Sequence, residues 1–125
     1  MKKPSKSYLT RKLDKIVSEI VRARGYCVRC ENRKTLQAAH IFSRSNRAVR
    51  WRLGNVLCLC AKCHFWSHLN PVLFTEWVRK WLGATQYNIL KNNATQIKKW
   101  TIEEMEELYK RFETVRGGEC YKKNS

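Results

Sequence analysis

Six cysteines and three histidines are the residues of this chain best suited to metal or acid–base chemistry, and most of them crowd into residues 27 to 68. Cys27 and Cys30 form one Cys-x-x-Cys pair, and Cys60 and Cys63 form a second. Together they supply four thiolates, the donor set of a closed, tetrahedral, structural zinc site. Residues 31 to 59 separate the pairs, a longer gap than the roughly 15 to 20 residues of an ordinary zinc ribbon, so something is inserted between the knuckles. Cys58 competes with Cys60, but only Cys60 makes the two-residue spacing with Cys63, and Cys58 reads as a buried apolar side chain. A Cys2His2 finger from Cys27, Cys30, His64 and His68 would need about 12 residues before its first histidine. Here residues 31 to 63 intervene, and that reading is set aside.

The histidines point to a second site. His64 and His68 are four apart, so on a helix both face the same way and can share one metal ion. The alternative is a helix face with two ordinary histidines. Because Cys60 and Cys63 anchor the start of the same helix, the metal reading is the one taken. His40 and Asn55 lie in the insert between the knuckles.

At these residues the chain resembles a known family. "AAHI" at 38–41, "NVLCLC" at 55–60 and "CHFWSH" at 63–68 are similar to the His-Asn-His (HNH) nuclease motif in its zinc-anchored form, a ββα-metal fold. The longer stretch "HIFSRSNRAVRWRLGNVLCLCAKCH" resembles the phage recombination nucleases of the NinG, or Rap, type. Weaker similarity runs into "KKWTIEEMEELYKRF", so the resemblance covers roughly residues 25 to 115.

The resemblance implies that His40 is a general base, Asn55 the residue that orients it, and His64 a ligand of a catalytic divalent metal, Mg²⁺ or Mn²⁺, with His68 a second candidate ligand. It also implies DNA as substrate, preferably branched as in a Holliday junction, with 5′-phosphate and 3′-hydroxyl products. The physics fits: an imidazole near neutrality can take a proton from water attacking phosphorus. Dense positive charge should lower the pKa of His40 and keep it able to accept that proton. Many HNH nucleases carry an Asp or His ligand immediately before the base, whereas here that position is Ala39. Metal binding therefore falls to His64 and His68, with Gln37 a further candidate. The reading from a different class is a zinc-stabilised DNA-binding or packaging-accessory module whose HNH site is silent. The only aspartate, Asp14, leaves a carboxylate-cluster nuclease or a Ser-His-Asp hydrolase almost no material.

Charge agrees with a polyanionic partner. Twenty-six Lys and Arg against ten acids give a formal net charge of +16, and a surface that basic repels itself unless nucleic acid or a similar partner neutralises it. Arg44, Arg47, Arg50 and Arg52, between base and asparagine, form a natural phosphate clamp. Lys12 and Lys15, on the basic face of a first helix with Arg11 and Arg22, are either phosphate contacts or a solvated face. No apolar run reaches the roughly 18 residues of a membrane span, and the N-terminus lacks an apolar signal region. A cytoplasmic location, that of the host cell for a phage protein, is expected, where six cysteines do not form a disulfide framework. Cys120, in the polar tail, reads as a free thiol. Symmetric cutting of a junction would call for two active sites and therefore a homodimer.

The elements that must position these groups follow from spacing. One domain is expected over residues 1–125, of mainly helical α+β class, with a zinc-anchored ββα core flanked by N-terminal and C-terminal helices. Residues 7–24 place Leu9, Leu13, Ile16, Val17, Ile20 and Val21 on one helical face, with Ser7 as N-cap and Gly25 past the end. Residues 25–70 hold loops, a short hairpin and a helix from about 61 to 69. In residues 71–116, Pro71 opens a helix whose Leu73, Phe74, Trp77, Val78, Trp81 and Leu82 predict a core stripe ended by Gly83. A shorter helix occupies "TQYNILKN". Thr101 and Glu104 then form a capping box before Ile102, Met105, Leu108, Tyr109, Phe112 and Val115, and Gly117-Gly118 stops that helix. Residues 117–125 read as a flexible tail. Trp51 is expected to pack under the arginine loop.

Overall fold

The computed structural model describes residues 3–117, and the tail beyond Gly117, with Gly118 and Cys120, lies outside them. The described chain is mainly helical α+β. Helix α1 (Lys6–Arg22) leads to strand β1 (Leu36–His40), a 3₁₀ turn (Leu53–Asn55) and strand β2 (Val56–Cys60). Helices α2 (Ala61–Leu69), α3 (Pro71–Leu82), α4 (Ala84–Ala94) and α5 (Ile102–Gly117) follow.

The two strands pair antiparallel, with Leu36 opposite Cys60 and His40 opposite Val56. All five residues of β2 are buried, because both faces of this small sheet are covered. Val56 and Cys58 pack on one side with the apolar face of α1 and with Met105 and Phe112 of α5. Leu57 and Leu59 pack on the other side with Cys27, Cys63, Phe74 and Val78. Alternation along a strand is what divides these residues between two cores. No helix among the described residues is long and apolar enough to cross a membrane.

Three sequence expectations shift. Helix α1 starts earlier than residue 7: Ser5, extended at φ −75° and ψ 156°, accepts the Tyr8 backbone N–H. Ser7 instead accepts a hydrogen bond from Arg11 one turn on. The helix also ends at Arg22, because Arg24 turns back and donates to the Val56 carbonyl at 2.8 Å, while Gly25 takes the positive φ that reverses the chain toward Cys27. On α3 only Phe74 and Val78 are buried; Leu73 is 52% and Trp81 48% exposed. The expected core stripe is thus narrower: Trp77 and Leu82 are only partly buried against the same cluster, and α2 and α4 pack against α3. Trp77 and Trp81 stack on each other instead, centroids 5.8 Å apart.

The remaining elements follow expectation. Pro71 sits in the first turn of α3 and Gly83 ends it at φ 88°. The capping box of α5 is formed: Glu104 N–H donates to Thr101 Oγ1 at 3.1 Å, and Thr101 N–H donates to Glu104 Oε1 at 2.9 Å.

Candidate active site

The four cysteines form one cluster. The sulfurs of Cys27, Cys30, Cys60 and Cys63 all lie within 4.8 Å of one another, and Cys30 and Cys60 are 3.6 Å apart. Zn–S bonds of about 2.3 Å in a tetrahedron require S–S edges of about 3.8 Å, so the donor set fits a zinc ion. Local turns produce this arrangement. The Glu31 N–H bonds to the Cys27 carbonyl with Glu31 at φ 67°, and the Cys63 N–H reaches the Cys60 sulfur at 3.5 Å where α2 begins. Burial opposes the Cys60 thiolate, but the Cys63 N–H and the neighbouring thiols outweigh it and hold it at about 7. Burial pushes Cys63 up to about 12, with the adjacent sulfurs adding to it. Without a cation this cluster cannot ionise fully, which is the electrostatic demand a zinc ion satisfies. Arg29 was not singled out by sequence: it stacks 3.7 Å over the Trp66 ring and donates to the Cys63 sulfur at 3.4 Å. Cys58 stays out of the cluster, fully buried beside α1.

The cysteine cluster holds the Cys27–Cys30 turn to the end of β2 and the start of α2, and a cleft of about 850 Å³ opens between α1 on one side and β1 and α2 on the other. Its walls include all three histidines, with Gln37, Asp14 and Arg44. His64 and His68 face each other on α2, ring centroids 4.8 Å apart, as their spacing implied. Gln37, a candidate ligand from sequence, takes a different part: its Oε1 accepts the proton of His64 Nδ1 at 2.7 Å. A carboxamide oxygen only accepts, so Nδ1 carries the hydrogen and Nε2 of His64 keeps its lone pair. Holding an imidazole through its far nitrogen is how metal-binding histidines are oriented, while among the described residues the cysteine quartet is the group of three or more potential ligands whose donor atoms converge. Burial first, then the neighbouring His68 and His40, lowers the His64 pKa and favours that neutral form.

His40 ends β1, half-buried. Its Nε2 lies 3.0 Å from the Arg50 carbonyl oxygen, which can only accept, leaving Nδ1 unprotonated. Its pKa is lowered as expected, but burial is the main cause. The charges of Arg44 and Arg50 add to it, against the opposite pull of the Arg50 carbonyl and of Asp14. Ala39, at the position where a neighbouring ligand was sought, points the other way into the apolar cluster and is 2% exposed.

The hydrogen bonds of the Asn55 side chain go to the backbone and not to the His40 ring. Asn55 is fully buried; its Oδ1 accepts from Phe42 N–H, and its Nδ2 donates to the carbonyls of Phe42 and Val49. Its side chain thus ties Phe42 to Val49 across the arginine loop, and its backbone carbonyl accepts the N–H of Ile41, the residue after His40. Within that loop Arg47 and Arg52 are exposed, and Arg44, 60% exposed, lies 3.8 Å from the Asp14 carboxylate with most of its side chain open to solvent. Arg50 is not: its guanidinium grips Asp14 with two hydrogen bonds, 3.1 and 2.7 Å. Its place in the expected phosphate clamp is corrected accordingly, because the chain's single aspartate already neutralises it. Trp51 packs under the loop as expected, 2% exposed, edge-on to Trp100. On α1, Lys15 is exposed, while Lys12 lies 4.2 Å above the Tyr109 ring. Sequence reasoning gave Asp14 no role, although the single aspartate of so basic a chain was the signal available.

Fold and site define a small, basic, cysteine-anchored α+β protein with a histidine-lined cleft. The chain belongs to a phage family related to recombination: the family model described as Bacteriophage Lambda NinG protein matches residues 1–116. No curated protein and no solved structure matches the chain.

Proposed function

We propose that this chain is a metal-dependent HNH endonuclease that hydrolyses DNA phosphodiester bonds, acting on branched recombination intermediates such as Holliday junctions. The observation that carries this reading is the convergence of His40, His64 and His68 on one cleft, with His40 neutral and its Nδ1 free to accept a proton. The order of β1, β2 and α2 beside the cysteine cluster supports this reading, since a ββα-metal fold is what the resemblance implies.

His40 Nδ1 takes a proton from a water as its oxygen bonds to phosphorus, and the bond from phosphorus to the 3′ oxygen breaks. The 3′ oxygen then gains a proton from solvent, leaving 3′-hydroxyl and 5′-phosphate ends. A divalent ion held by His64 and His68 would supply charge stabilisation for the scissile phosphate and the leaving oxygen. Gln37 keeps His64 turned for that purpose, and exposed Arg44, Arg47 and Arg52 bind flanking phosphates. The preference for branched DNA rests on the resemblance to the NinG type, and two cuts in one junction would require a homodimer.

A second reading is favoured by one observation, the burial of Ala39 among apolar side chains, which leaves β1 without a metal ligand beside the base. On that reading the chain is a zinc-stabilised DNA-binding or packaging-accessory module. Incubating a four-way junction, a linear duplex and a single strand with the native protein and with His40→Ala separates the two, using Mg²⁺, Mn²⁺ or chelator. Metal-dependent cutting selective for the junction, lost in His40→Ala while binding persists, is the expected result. Binding of all three DNAs with no cutting under any metal would establish the module instead.

A further inference from the structure

We propose that Asp14, on α1, is a positioning residue for His40 that acts through the peptide joining Arg50 to Trp51; the inference rests on the reading of His40 as the base. Three hydrogen bonds converge on this carboxylate. Arg50 gives Nε–H to Oδ1 and Nη2–H to Oδ2, and Trp51 gives Nε1–H to Oδ1 at 2.8 Å. Two consecutive side chains are thereby anchored to one point on a neighbouring helix, and the peptide between them is bracketed. The carbonyl of that peptide is the one that accepts the His40 Nε2 proton at 3.0 Å.

The turn closed by Arg52 N–H on the Val49 carbonyl at 3.1 Å shapes this peptide locally, and the bonds to Asp14 tie that turn to α1. Residues 43 to 52 form no helix or strand. Asn55 fixes the carbonyls of Phe42 and Val49 and leaves the Arg50 carbonyl to the brace. Trp100 bonds the carbonyl of Arg47, farther back in the loop. If the 50–51 peptide can rotate, His40 loses its acceptor, the ring is free to turn, and Nδ1 spends time protonated or misdirected. Reaction rate depends steeply on such placement. The carboxylate lines the cleft and its charge also acts on His40 directly, opposing the fall of its pKa, but it hydrogen-bonds Arg50 and Trp51, and its hold on the geometry of His40 runs through them.

The test uses the full-length, zinc-loaded protein with ¹⁵N-labelled histidine, comparing the native chain with Asp14→Asn, Arg50→Lys and the double variant. The Asp14→Asn change keeps an acceptor for Trp51 and removes the charge. The Arg50→Lys change keeps the charge and removes the two-pronged grip. In the native protein His40 should show a single Nε2–H resonance protected from exchange with water. Either single change should abolish that protection and lower kcat about 10- to 100-fold with KM for the junction little altered. The double variant should be no worse than either single one, because both act on the same link. A protected Nε2–H and an unchanged kcat in folded Asp14→Asn would overturn the proposal. If Asp14→Asn does not fold, the same resonance in Arg50→Lys decides. Loss of the protected proton in a protein whose native form cuts no DNA would leave the link standing and sink the nuclease reading instead.

Discussion

At the scale of single residues the clearest consequence concerns protons. The His40 pKa lies below the ordinary histidine value of about 6.5. For the proposed base, the acid limb of kcat/KM, which reports the free enzyme, should therefore fall below pH about 6.5. A limb above that value in a pH–rate profile would contradict a buried, neutral base. The same shift bears on stability. Between the folded and the ordinary value the unfolded chain binds the extra proton, so the His40 contribution is present above about 6.5 and is lost as pH falls through that window. Asp14 has the opposite charge but loses stability in the same direction. Burial opposes its ionisation, yet Arg50, Trp51 and Arg44 outweigh burial and lower its pKa, so its contribution is lost only as pH falls below the ordinary carboxylate range. The donor set also bears on the metal. Two imidazoles without a carboxylate suit a softer ion than Mg²⁺, so cleavage should rank Ni²⁺ above Mn²⁺ above Mg²⁺ when each is supplied to chelator-treated, zinc-retaining protein.

Among the elements, the knuckles and α2 form one unit. Cys60 is both a zinc-cluster thiol and the cap of α2, accepting the Cys63 N–H, and His64 follows immediately. Cys27→Ser or Cys63→Ser should therefore lose the cooperative melt of the middle of the molecule, read by circular dichroism, because structural zinc supplies folding free energy. A native-like melt in either variant would rule out a structural metal. The link between α1 and the arginine loop is a separate joint. Arg50→Ala removes a fork from a carboxylate that is 25% exposed and should cost about 2 kcal/mol in a denaturant titration. The helices themselves were largely legible in the sequence: Pro71, Gly83 and the Thr101–Glu104 box act within one turn of chain, where neighbouring residue types decide the outcome, although α1 takes Ser5 and not Ser7 as its cap. The width of the α3 apolar stripe was not, since burial of Leu73 and Trp81 depends on whether another helix lies over them.

For the whole molecule, a charge of +16 predicts that the proposed binding to DNA is strongly salt-dependent. Arg47→Ala and Arg52→Ala should each flatten the slope of log affinity against log salt by about one unit if each contacts a phosphate. Arg50→Ala should change it less, its charge being already paired with Asp14. Equal slopes for the three variants would show that the loop arginines are interchangeable in solution. What the sequence by itself determined is what short spacing encodes: the two thiol pairs, the i, i+4 histidines and the amphipathic faces, each set by helix or knuckle geometry over a few residues. Tertiary structure alone decided which groups meet across long stretches of chain. Asp14 finds Arg50 and Trp51, Gln37 finds His64, and Asn55 fastens the loop's ends through its backbone. Those contacts depend on how α1, the hairpin and α2 pack, and no local pattern of residue types specifies that packing.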